Sequence, residues 1–169
     1  MSHWALATSY FFHLIATIVW IGGLALLVMV VWPAARQVYG GDPRLAELLG
    51  NIRRRFSRLA NLSLVVLIVT GMLQMTGDPN YDGVLTFDND WSRAMLAKHI
   101  AIVGMVLVGM ILQWGIAPAQ ERFAILLAKG REASPDEIEQ LARRERQLNV
   151  INLVLGVLVL AFTALATAL

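Results

Sequence analysis

The 169-residue chain has no cysteine at all. That absence excludes disulfides, thiolate metal sites and thiol catalysis. Charge is scarce as well: only 15% of residues are Asp, Glu, Lys or Arg, where a soluble domain carries about 25%. No P-loop, no Ser-His-Asp set and no dinucleotide glycine motif occurs, so NTPase and hydrolase chemistry drop out. No continuous file of acids or amides crosses the apolar segments, which argues against a proton or sodium channel.

What remains is apolar. Hydrophobic residues make up 57% of the chain, and the mean hydropathy is +0.62. They fall in four runs, about 8–32, 59–76, 95–116 and 150–169, each near the ~20 residues a helix needs to cross the hydrocarbon core. The first run is too long, and too poor in preceding basic residues, for a cleaved signal peptide. One four-span transmembrane domain over 1–169 is expected, because no stretch outside the runs is long enough to build its own core. Short connections favour an all-α, antiparallel up-down four-helix bundle.

The 14 basic residues set the expected orientation. Six lie between runs one and two (Arg36, Arg44, Arg53, Arg54, Arg55, Arg58) and six between runs three and four (Arg122, Lys129, Arg131, Arg143, Arg144, Arg146). Arg93 and Lys98 open run three, while "GDPNYDGVLTFDND" between runs two and three has four Asp and no basic residue. The positive-inside rule then puts both basic loops in the cytoplasm and both termini on the external, periplasmic side. The basic balance is thus a topology signal, and no nucleic-acid partner is expected; the partner is the lipid bilayer.

Local signals refine the picture. The chain is expected to leave span one through Pro33, turn at Gly40-Gly41-Asp42-Pro43 and return as a short helix feeding span two. A helix start is expected at Ser134, with Pro135 at the first helical position and Glu137 placed for a capping box. Pro118 is expected to kink the third helix without ending it. Gly22, Gly23, Gly71, Gly104, Gly109 and Gly156 punctuate the spans, and such residues let helices approach closely in lipid.

An ionisable side chain inside a span is costly and marks a functional site by default. His13 sits about five residues into span one and His99 four to eight residues into span three, so both occupy the outer third of their spans. Helices one and three are diagonal in an up-down bundle, on the order of 12–14 Å apart. That spacing suits two imidazoles meeting one metal, and imidazole ligates haem iron, copper and zinc. Met95 lies four residues before His99 on the same face, and Met72 and Met75 end span two at the same level. Thioethers suit Cu(I) but also fill apolar gaps. Lys98 either snorkels outward or, like Arg93, meets a propionate or an Asp of the outer loop. Trp20 shares a face with His13 and Thr17, as a pocket wall or as bundle seam, whereas the other tryptophans mark the interfaces. His3 precedes the span. Asn61, Ser63, Thr70, Gln74, Gln113, Asn149, Asn152 and Thr163 are expected to hydrogen-bond between helices.

Three stretches together resemble the copper-resistance D (CopD) family and, more distantly, the HemJ-type protoporphyrinogen oxidases. They are "FHLIATIVWIGGLALL", "RRRFSRLANLSLVVLIVTGMLQ" and "WSRAMLAKHIAIVGMVLVGM", which cover helices one to three. The resemblance implies a bacterial inner-membrane protein concerned with copper uptake, or one that binds haem b. By position it matches His13 to the first-helix histidine and Lys98 to the third-helix lysine of those proteins. His99 departs from both patterns, favours a bis-histidine site and counts against protoporphyrinogen oxidation.

Three readings follow. The first is a b-type cytochrome-like membrane protein, an electron carrier rather than a stand-alone catalyst. In it His13 and His99 ligate haem b, Trp20 shapes the pocket, Arg93 and Lys98 meet the propionates, and a membrane or periplasmic redox partner receives electrons. The second is copper handling through His13, His99, Met95, Met72 and Met75. The third is a structural subunit of a larger membrane complex, with both histidines only hydrogen-bonding.

Overall fold

In the computed structural model, residues 2–40, 44–81, 83, 88–129 and 134–169 are described. They form four long helices: α1 (His3–Tyr39), α2 (Arg44–Thr76), α3 (Asp90–Leu126) and α4 (Pro135–Ala168). Each is long and apolar enough to cross a membrane. No strand occurs among the described residues. The protein is an all-α, multi-pass membrane protein.

Each helix exceeds its apolar run, and the excess lies mostly at the arginine-rich end. There α2 begins fifteen residues before the run at 59–76, and α4 fifteen before the run at 150–169. The first helix does not stop at Pro33. It continues to Tyr39, up to the turn that begins at Gly40. Proline lacks an N–H and its ring crowds the carbonyl four residues earlier. In α1 that crowding is relieved by a π-helical stretch, Leu27–Val31, immediately before the proline. The same device recurs in α3, where Ile111–Ile116 is π-helical just before Pro118. Gly40 forms part of the turn after α1, and Gly41, Asp42 and Pro43 lie outside the described residues. Ser134 is the N-cap of α4, but its side chain makes no capping hydrogen bond, so the expected capping box does not form.

Residue pairs fix the up-down order. His13 meets Thr70 and Gly23 meets Phe56, so α1 and α2 are antiparallel. Gly104 meets Leu155 and Gln120 meets Glu145, so α3 and α4 are antiparallel. Ile21 packs on Gly156, joining α1 to α4. The helices therefore pair as α1 with α2 and α3 with α4, with α1 also resting on α4. The core is small and lies mid-bundle: Trp20, Ile21 and Leu24 with Ala101, Met105 and Val159. A Cβ at Gly23 would sit 2.6 Å from the Phe56 ring, so the closest α1–α2 approach depends on that glycine.

Helices α2 and α3 stand apart, joined by polar side chains near the arginine-rich end. Arg53 bonds Gln120 and pairs with Glu145 at 3.3 Å, and Gln120 donates to Glu145 at 2.6 Å. Arg54 meets Glu121 at 3.4 Å, and Asn61 donates to Gln113 at 3.3 Å. Glu145 is 8% exposed. A carboxylate so buried persists only when paired, which is what Arg53 and Gln120 supply.

Candidate functional site around His13

The opposite end of the bundle holds the imidazole singled out by the sequence. Thr70 lies seventeen residues along α2 from Arg53, about 25 Å at helical rise. There α1 and α2 share a buried polar seam. Ser9 Oγ donates to the Thr70 carbonyl at 3.3 Å, and Gln74 Nε2 donates to Ser9 Oγ at 3.4 Å. Ser9 and Thr70 are both buried. Gly71 leaves room for the ring, since a Cβ there would lie 3.5 Å from His13 Cε1.

The hydrogen bonds of Thr70 fix the tautomer of His13. Thr70 Oγ1 lies 2.6 Å from the Val66 carbonyl, which has no proton to give, so the single hydroxyl hydrogen points there. The same oxygen lies 2.8 Å from His13 Nδ1 and must accept. His13 is thus the Nδ1–H tautomer when neutral. Its Nε2 lone pair is free, with no hydrogen-bond partner among the described residues. A ring held at Nδ1–H and open at Nε2 is the arrangement that metal-binding histidines use.

The other candidates are placed as follows. Lys98 is half-buried on α3. His99, the next residue, turns outward: it is exposed, and its Nδ1 donates to the Met95 carbonyl at 2.6 Å within its own helix. The structure therefore does not bring His13 and His99 together in the bundle interior. Met95 and Met75 are half-buried, and Met72 is 64% exposed. Arg93 is exposed and pairs with Asp90 at 3.2 Å. Thr17 donates back to the His13 carbonyl at 2.8 Å, and Trp20 is buried in the mid-bundle core. Among the described residues no group of three or more His, Asp or Glu side chains could hold a metal ion.

Two features escaped the sequence reading. One is Ser9, which no pattern in the sequence sets apart. The other is Glu145, for which a signal exists: Glu145, Asn149 and Asn152 repeat at helical spacing and mark one polar face.

A four-helix membrane bundle with one anchored, metal-competent imidazole between its first two helices defines a class rather than a chemistry. The family follows from the sequence itself. Residues 50–166 match the model of copper resistance protein D, and the chain belongs to that CopD family. No curated protein and no solved structure matches it.

Proposed function

We propose that the protein handles copper, taking the ion at the end of the bundle where His13 lies. The observation that carries this is the free Nε2 of His13, anchored through Nδ1–H to Thr70, in a chain of the CopD family. Neutral imidazole and thioether are ligands for Cu(I). Met95 and Met75, half-buried toward the same end, are the soft donors that would complete the set. Lower weight falls on exposed Met72 and on His99, whose free nitrogen faces out of the bundle.

One observation favours a second reading, haem b. The half-buried Lys98 charge on α3 repels a metal cation but suits a carboxylate, such as a haem propionate. His13 would then be an axial ligand and electron transfer the role. Against it stands the outward placement of His99, which leaves one interior histidine where a bis-histidine haem needs two.

Lys98 separates the two readings by sign. Detergent-purified protein is titrated with Cu(I) against a competing chelator, and its visible spectrum is recorded oxidised and reduced. Copper handling predicts no Soret band and a stoichiometric Cu(I) site that His13→Ala loses. Lys98→Leu, which adds no donor, then tightens the site severalfold, because a like charge is removed. A Soret band with about one iron per chain, weakened by Lys98→Leu, overturns copper in favour of haem.

A further inference from the structure

The gap between α2 and α3 near the arginine-rich end is a cavity of about 680 Å³. It lies far from His13 and takes no part in the copper reading. Its volume falls in the range of small-molecule sites, roughly 300–1,000 Å³. Its inner wall is apolar, with Leu64, Met105, Val106 and Met110.

Three observations define what it would bind. First, its mouth carries an uncommitted cation. Arg53 and Arg54 face Glu145 and Glu121, whereas Arg58 makes only a 3.4 Å bond from Nε to the Arg54 carbonyl. No carboxylate pairs with Arg58 among the described residues. Second, Asn152 lines the cavity, is 6% exposed, and its Oδ1 has no hydrogen-bond partner. An unpaired buried amide costs roughly 1–3 kcal/mol in proteins and more in hydrocarbon, so a polar group from outside the chain is wanted there. Third, the two lie at nearly one depth. Taking the Arg53–Glu145 pair as level, Arg58 is five residues further along α2 and Asn152 seven further along α4. At helical rise those are about 7.5 and 10.5 Å, a difference of about 3 Å.

A charged group, a neutral polar group just beneath it and an apolar body deeper still is the layout of a glycerophospholipid. We propose that the cavity binds one anionic glycerophospholipid from the adjacent leaflet. Its phosphate rests on Arg58, the Asn152 amide turns about its last torsion to donate Nδ2–H to an ester carbonyl, and an acyl chain lies along Leu64, Met105 and Val106. Basic pockets between spans bind anionic head groups in this way. The lipid fills the space between α2 and α3 that protein side chains leave open.

The full chain in neutral detergent is mixed with phosphatidylglycerol or phosphatidylcholine. Bound lipid is counted by native mass spectrometry and the thermal shift recorded. We expect one phosphatidylglycerol, held at least about tenfold more tightly than phosphatidylcholine, a ratio worth about 1.4 kcal/mol. Arg58→Gln reduces that preference to within about twofold, and Arg58→Lys keeps most of it. Arg55→Gln, an exposed arginine outside the cavity on the same helix, leaves it unchanged. Asn152→Leu weakens both lipids while raising the melting temperature of lipid-free protein. Equal binding of the two lipids, or equal losses in Arg55→Gln and Arg58→Gln, overturns the proposal. So does a neutral quinol that displaces phosphatidylglycerol at equal concentration.

Discussion

At the residue scale, a single threonine decides what His13 is able to do. The hydroxyl of Thr70 has one hydrogen, the Val66 carbonyl takes it, and the imidazole is left to donate through Nδ1. Thr70→Val keeps the shape and removes that acceptor. The ring then loses its fixed tautomer, and Cu(I) affinity should fall about 10–100-fold, the usual cost of losing a partner behind a ligand. Thr70→Ser should restore it. Chelator competition measures both, and an unchanged affinity in Thr70→Val would remove His13 Nε2 from the ligand set. His99 makes the contrasting point: it is an equally free imidazole, but it bonds its own helix and faces outward.

At the scale of elements, close approach and polar ties divide the labour. The pairs α1–α2 and α3–α4 pack tightly, and small residues make the contacts possible. Gly23 is the tightest, with the Phe56 ring 2.6 Å from where a Cβ would stand. Gly23→Val should force α1 and α2 apart and cost about 1–3 kcal/mol, as overpacking does. A melting temperature several degrees lower in detergent, partly recovered in Gly23→Val combined with Phe56→Leu, is the expected result; no change would mean that the seam is plastic. Helices α2 and α3 instead touch through Arg53, Gln120, Glu145, Asn61 and Gln113. Both prolines inside helices, Pro33 and Pro118, follow π-helical stretches, so neither ends its helix.

At the scale of the whole molecule, polarity runs along the bundle axis. Among the described residues every arginine but Arg93 gathers at one end, with the Glu145 network and the cavity, and His13 stands at the other. By the positive-inside rule the arginine end is expected in the cytoplasm. A chain without cysteine lets this be tested cleanly. In intact cells a membrane-impermeant maleimide should label Ser2→Cys, and it should reach Lys129→Cys only after permeabilisation. The reverse pattern would put the His13 end inside and turn the proposed copper site toward the cytosol.

The four spans, their order and the candidate imidazole were determined by the sequence alone, because lipid allows only a helix over a long apolar run and makes any ionisable group within it conspicuous. The same logic marked eight polar residues as ties between helices; Thr70, Gln74, Asn61 and Gln113 make such bonds, whereas Asn149 and Thr163 donate to carbonyls of their own helix and Asn152 Oδ1 has no partner. Matched depth, however, says nothing about rotation about the helix axis. Lys98 and His99 are adjacent and share a depth, but a helix turns about 100° per residue, so only packing decides which of the two faces the bundle. The tertiary structure turned Lys98 inward and His99 outward. It also decided that α2 and α3 stand apart. That separation depends on how all four helices share their small residues, a property of the assembled bundle that no single run contains.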